Sequence, residues 1–243
     1  MIKKYNEYIA EKLSDKLSGF NEEELKQQLL DDKIDIFKYI KICDEYKLPY
    51  PSKDELKKSF KYYSTEVVLR KSIRENFADG VKYALEQEEI DDDTLYDILM
   101  IKYRKTVKDE IKIILINKCK DNDYLKNKII KEITLFYDIF ELLIENYDFT
   151  KDDLNKILIK VSKKSYFYSG IDIRCVIKKG ADIHYNNDEA LYNAVKYNIS
   201  DNVETLLKLG AIITDEIYQH IKEKKSSNKM KDLIQKYYDK QND

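Results

Sequence analysis

Glycine occurs five times in this chain of 243 residues, proline twice and tryptophan not at all. So little glycine and proline leaves few of the turn clusters that bound short strands, which argues against an all-β fold and predicts an all-α chain. Phosphate-binding loops of the usual kind are excluded too, because Gly19, Gly80, Gly170, Gly180 and Gly210 make neither G-x-x-x-x-G-K nor G-x-G-x-x-G. Histidine is scarcer still: His184 and His220 stand 36 residues apart, so no H-E-x-x-H zinc helix can form. The three cysteines, Cys43, Cys119 and Cys175, are odd in number and widely spaced. They fit neither a disulfide framework nor a zinc site and point to a reducing compartment. Each lies in an apolar helical pattern and reads as a core thiol, so no Cys/His nucleophile is expected. The chain is expected to be no enzyme and to need no cofactor or metal.

Nor is there an excess of charge of either sign. Lys plus Arg number 44 and Asp plus Glu 46, for a net charge of −2. With both signs interspersed, no overall field steers the chain towards nucleic acid or an anionic membrane. Only Arg70, Arg74, Arg104 and Arg174 are arginine, while Lys, Ile, Asn, Asp and Tyr abound. That is the codon bias of an AT-rich genome, and it deprives the 21 tyrosines of any special meaning. No run approaches the ~20 apolar residues of a membrane span, and MIKKYNEYIAEKLSDKLSGF at the start lacks the apolar core of a signal peptide. A soluble cytoplasmic protein is expected. The acidic run EQEEIDDD (86–93) has neither the alternating ligands nor the glycine of a cation loop. It reads as acids ahead of a helix starting near Thr94, where they favour the positive dipole end.

What the chain does have is internal repetition. ALYNAVKYNISDNVETLLKLG (190–210) lies without a gap over VLRKSIRENFADGVKYALEQE (68–88), matching Leu191 with Leu69, Asn198 with Asn76, Asp201 with Asp79, Val203 with Val81 and Leu207 with Leu85. In both, a first helix meets a tight polar break, and a second helix carries apolar residues at i, i+3, i+4. The second helix recurs as IDIFKYIKICD (34–44), FELLIENY (140–147) and IDIRCVIKKG (171–180). Helices are expected near 22–31, 34–44, 53–63, 66–76, 79–88, 93–103, 106–119, 123–132, 135–146, 152–164, 170–179, 188–197, 200–209, 214–224 and 228–240. The segment 53–63 finds no partner, and LPYPS (48–52), which holds both prolines, marks a kink or insertion.

The positions of Gly180 and Gly210 fit this register. A residue just past a helix C-terminus often turns left-handed, where a Cβ costs about 1–2 kcal/mol and glycine avoids the cost. Tyr147, Glu88 and Asp44 hold the matching place in the weaker copies, whose turns are expected to be strained or differently built.

The string VIKKGADIHYNNDEALYNAVKYNISDNVETLLKLGA resembles two joined ankyrin repeats, with GADIH closing one repeat and ALYNAV where the family has T-P-L-H-x-A. The spacing and the NND before the helix are similar to divergent ankyrin-repeat proteins of giant DNA viruses of the mimivirus kind. The resemblance is clearest over 170–213. Glu189 and Ala190 stand in place of Thr-Pro, Tyr192 in place of the histidine, and Asp188 is the expected N-cap. It implies one α-solenoid of stacked helix pairs over 1–243, with short or reduced hairpin fingers, an N-terminal cap at 1–20, repeats at 21–213 and capping helices at 214–243.

For function, the resemblance implies a binding surface. In such a fold His184, Tyr185, Asn186 and Asn187 lie at a finger tip, and Phe149, Thr150 and Lys151 at the preceding one. Tyr192, Asn193 and Lys196, with Tyr197 beside them, would line the adjoining concave wall of first helices, where aromatic and amide groups read partner surfaces. The expectation is a monomeric, non-enzymatic module that binds another protein through this concave face, a viral adaptor or decoy acting in the host cytoplasm. The alternative is a cognate inhibitor, an immunity or anti-defence protein that covers one enzyme's active site.

Overall fold

A computed structural model of the protein describes residues 27–29, 31, 35–46, 48–87, 90–100, 107–136, 138–164, 169–223 and 227–242. Among them every regular element is helical. The expected helix at 22–31, the first residues of the expected N-terminal cap and Glu88 fall largely or wholly outside the described residues. The chain divides into two compact units, Met1–Asp91 and Asp92–Asp243.

The first unit holds α1 (Ile36–Tyr46), α2 (Lys53–Phe60), α3 (Thr65–Arg74) and α4 (Ala78–Gln87). After the prolines, Ser52 starts α2 as a capping box: its hydroxyl faces the Glu55 N–H, and the Glu55 carboxylate accepts the Ser52 N–H at 2.6 Å. The segment that lacked a partner in the sequence packs on both α1 and α4. Its Phe60 ring sits 5.7 Å from Phe37 and 5.2 Å from Tyr83. Helices α3 and α4 form a hairpin whose turn residue, Asn76, is left-handed at φ 57°. Asp44 lies inside α1 and so does not close a helix as its register suggested.

The second unit runs through α5 (Asp92–Met100), α6 (Asp109–Cys119), α7 (Asp123–Glu132), a 3-10 turn (Ile133–Leu135), α8 (Phe140–Asn146), α9 (Lys151–Ser162), α10 (Ser169–Lys179), α11 (Tyr185–Lys196), α12 (Ser200–Lys208), α13 (Asp215–Glu223) and α14 (Asn228–Asn242). Its packing obeys one rule. Helix α5 lies on α7, α7 on α9, α9 on α11 and α11 on α13, while α6 lies on α8, α8 on α10, α10 on α12 and α12 on α14. The pairs α5/α6, α9/α10, α11/α12 and α13/α14 join the two rows. Second-row helices start at residues 109, 140, 169, 200 and 228, in steps of 31, 29, 31 and 28. Successive helix packing of this sort is compatible with an α-solenoid, in which a lone pair cannot bury its apolar face and borrows its neighbours'. The buried positions of both rows are aliphatic: Leu125 and Ile129, Ile157 and Leu158, Leu191 and Val195 in the first row, and Ile116, Leu143, Val176 and Leu206 in the second, are all within 1% of full burial. Each such side chain is worth about 1.5–3 kcal/mol when buried.

Four helices end in the same way. A residue one or two positions past the helix is left-handed, and the next N–H reaches back five residues. Phe77 N–H bonds to Ser72 O (2.8 Å), Ala181 to Val176 (3.2 Å), Ile199 to Ala194 (2.9 Å) and Ala211 to Leu206 (3.0 Å). The left-handed residues are Asn76 and Asn198, at φ 57° and 58°, and Gly180 and Gly210, at φ 122° and 104°. The gapless alignment of 68–88 with 190–210 therefore matches the two hairpins turn for turn. Tyr147 is built differently: its backbone is extended (φ −88°, ψ 143°), and its buried hydroxyl donates to the Cys119 carbonyl at 2.7 Å. That bond ties the end of α8 to the end of α6.

Candidate functional site

The connectors of the second unit, 147–150, 181–188 (which takes in the left-handed turn that opens α11) and 209–214, join second-row helices to the next first-row helix. They carry no strand, so no hairpin finger is formed among the described residues. Their order comes instead from side chains of neighbouring elements. Asn155 on α9 accepts the Asp182 N–H at 2.7 Å, and Asp188 accepts the Ile212 N–H at 2.9 Å. Gln241 on α14 accepts the Ile213 N–H at 3.1 Å. The 181–188 and 209–214 connectors are thereby fixed to a neighbour, which lowers the ordering cost of presenting their exposed side chains.

The residues singled out from the sequence divide into two groups. Lys151 is exposed, and its ammonium lies 3.2 Å from the Asp182 carboxylate, linking the 147–150 connector to the next. His184, Asn186, Asn187 and Lys196 are exposed as well. Tyr185 and Tyr192 are half-buried; Tyr192 packs edge-on against His220 with ring centroids 5.4 Å apart, and Lys196 Nζ sits 5.8 Å from the Tyr192 ring. Phe149 and Asn193 depart from the expected open surface, whereas Thr150 is exposed. Phe149 is buried and stacked on Tyr147 at 4.8 Å, because an aromatic beside that buried ring gains more there than in water. Thr150 caps α9, its hydroxyl and N–H both spent on Asp153. Asn193 is buried on α11 and points its amide towards Glu189, so it does not stand beside Tyr192 on an open wall.

Asp188 also departs from expectation. Asn186, Asn187 and Asp188 form a left-handed turn at φ 52°, 60° and 57°, and the Asp188 carboxylate does not cap the helix that comes next. Its side chain is 6% exposed, with Oδ1 and Oδ2 at 3.2 and 3.3 Å from His184 Nδ1. Asn155, His220 and Ile212 belong to this neighbourhood and were not singled out from the sequence. Their signal is a register of side-chain direction that a single chain does not display.

Elsewhere the chemistry is quiet. The acidic run is absorbed locally: Asp92 accepts from the Asn122 amide at 2.7 Å, and Asp93 from Lys128 at 2.8 Å. Among the described residues no group of three acids, histidines or cysteines could hold a metal ion. Burial pushes the Cys119 thiol up to about 12 and the Cys175 thiol, with Glu141 nearby, to about 11. In the first unit an open groove runs between Pro51, Lys53 and Leu56 on one side and Asp79, Tyr83 and Glu86 on the other. Its charged rim is paired, Lys53 with Glu86 at 2.5 Å and Lys82 with Asp79 at 3.4 Å. No described helix is long and apolar enough to cross a membrane.

No family model matches the chain, and no curated protein and no solved structure matches it either.

Proposed function

We propose that this chain is a divergent ankyrin-type repeat protein and serves as a non-enzymatic interaction module. Its working surface is the connector edge of the second unit together with the adjoining first-row helices. The observation that carries this reading is the ordered connector edge, where Asn155 and Asp188 hold successive connectors by backbone hydrogen bonds while Lys151, His184, Asn186, Asn187 and Lys196 remain exposed beside them. Loops held by a rigid scaffold are where binding residues concentrate. The partner is another protein, read through amide, lysine and half-buried tyrosine groups, and the resemblance to giant-virus proteins supports an adaptor or decoy role in a host cytoplasm.

The experiment is capture of partners from native-host lysate by the full chain, compared with a variant carrying Lys151→Ala, His184→Ala, Asn187→Gly and Lys196→Ala. All four positions are exposed, and glycine keeps the left-handed backbone at 187, so the variant should retain the parent's helical spectrum. The reading expects a partner held by the parent and lost by the variant. Equal recovery of every protein by both would place binding on another surface.

A further inference from the structure

We propose that the contact between α8 and α10 is a proton-sensitive joint, in which the Asp172 carboxyl sits half-buried and unpartnered in the first turn of α10 and packs at full strength only when neutral. Asp172 lies in the first turn of α10, immediately before Ile173, which is fully buried. It makes no hydrogen bond or ion pair among the described residues. The far end of the same contact is fastened, since Lys179 Nζ donates to the Glu145 carbonyl at 2.7 Å. A half-buried carboxylate without a partner therefore sits at one end of an otherwise well-made helix contact.

Beyond the positive end of the α10 dipole, no charged side chain compensates it. From α8 comes Glu141, which acts on Asp172 as a like charge, while Glu145 bears on Cys175 one turn further along α10. On α9 the ionic groups are engaged elsewhere: Lys151 with Asp182, Lys156 with Asp152, Asp153 with Lys126, and Lys160 on the Lys131 carbonyl. On α12, Asp201 pairs with Lys229 and Glu204 with Lys208. On α10 itself Arg174, Lys178 and Lys179 are exposed, and the neighbouring Cys175 thiol is uncharged. Burial first, and the Glu141 charge second, push the Asp172 carboxyl up to about 6 from its ordinary 3.8. An acid raised on folding holds its proton more tightly in the native state. The stabilisation is present in full below the unfolded value and is lost as pH climbs through the folded one. Acidification through this window thus tightens α8 on α10.

Hydrogen exchange of the full chain tests this at the joint itself. After correction for intrinsic rates, peptides covering 140–146 and 169–179 should be protected about tenfold more at pH 4.5 than at pH 7, a figure already reduced for partial solvent screening. In Asp172→Asn, a neutral isostere of the protonated acid, that difference should vanish and protection at pH 7 should rise to the acidic level. Glu141→Gln should shrink it in part. An Asp172→Asn protein with the parent's pH dependence at these helices overturns the proposal.

Discussion

Asp188 Oδ1 accepts the backbone N–H of Ile212 at 2.9 Å, joining the left-handed turn that opens α11 to the connector before α13. The same carboxylate, 6% exposed, faces His184 Nδ1 at 3.2 Å, so one side chain spans two connectors. Its residue is also left-handed, at φ 57°. Replacing it by alanine removes a buried acceptor and places a Cβ residue without compensating polar contacts in that conformation. Asp188→Ala should therefore destabilise the second unit by about 2–4 kcal/mol. Asp188→Asn keeps an acceptor and tolerates the backbone, and should lose under about half of that. Amide exchange at Ile212 is the local check: it should accelerate in the alanine variant well before exchange within α9 does. An unchanged Ile212 rate would mean that the bond does not order the connector.

Two glycines should respond to substitution for different reasons. At Gly180 the backbone is at φ 122°, while an added Cβ would meet nothing nearer than Leu154 Cδ1 at 4.0 Å. The cost is conformational, so Gly180→Ala and Gly180→Val should both lose about 1–3 kcal/mol, with the valine somewhat worse. At Gly80 a Cβ would lie 2.4 Å from Phe77 Cδ1 and 2.4 Å from Ser72 Oγ, where α3 and α4 approach closely. Gly80→Ala should lose about 1–3 kcal/mol by overpacking, and Phe77→Leu in the same chain should restore part of it. Urea unfolding of the four variants measures this. If Gly180→Val unfolds at the parent's midpoint, the left-handed helix end is mistaken.

The helices were legible because their period is long and their stops are chemical. The expected 123–132 matches Asp123–Glu132, and 200–209 differs from Ser200–Lys208 by one residue. Two elements misled for physical reasons. The expected helix 135–146 is broken, since the 3-10 turn at Ile133–Leu135 precedes α8 at Phe140. Phe136 and Ile139 are each 3% exposed, so the apolar pattern continues through the break. The other is the left-handed turn Asn186–Asp188 that opens α11: the right-handed turns begin at Glu189, next to the expected 188, and asparagine and aspartate permit the turn before them without announcing it. For the candidate surface, the charged and amide identities of Lys151, Asn187 and Lys196 were enough to place them in solvent. Phe149 and Asn193 were not placed correctly, because a ring stack on Tyr147 and an amide turned to Glu189 decide their directions. The ties that order the connectors join residues 24, 27 and 28 positions apart, beyond any local pattern.

The thiols give a test that depends on pH in a stated direction. Cys119 is 0% exposed with its thiol pushed up to about 12 by burial, and half-buried Cys175 is raised to about 11. Because the thiolate is the reactive form, each unit of upward shift lowers the reactive fraction at pH 8 about tenfold. Alkylation of Cys119 by iodoacetamide in the native chain at pH 8 should be at least about a hundredfold slower than in urea, and Cys175 should be slowed by a smaller factor. The effect on stability has a definite sign: acids raised on folding add stability up to their unfolded value, near 9, and lose it as pH climbs towards 11 and 12. Native stability should accordingly decline above pH 9 in the parent, and less steeply in Cys119→Ala once its lower starting stability is subtracted. Mass-spectrometric labelling rates at each cysteine decide the matter, and rapid native labelling of Cys119 at pH 8 would show that the α6 thiol is not enclosed by the stack.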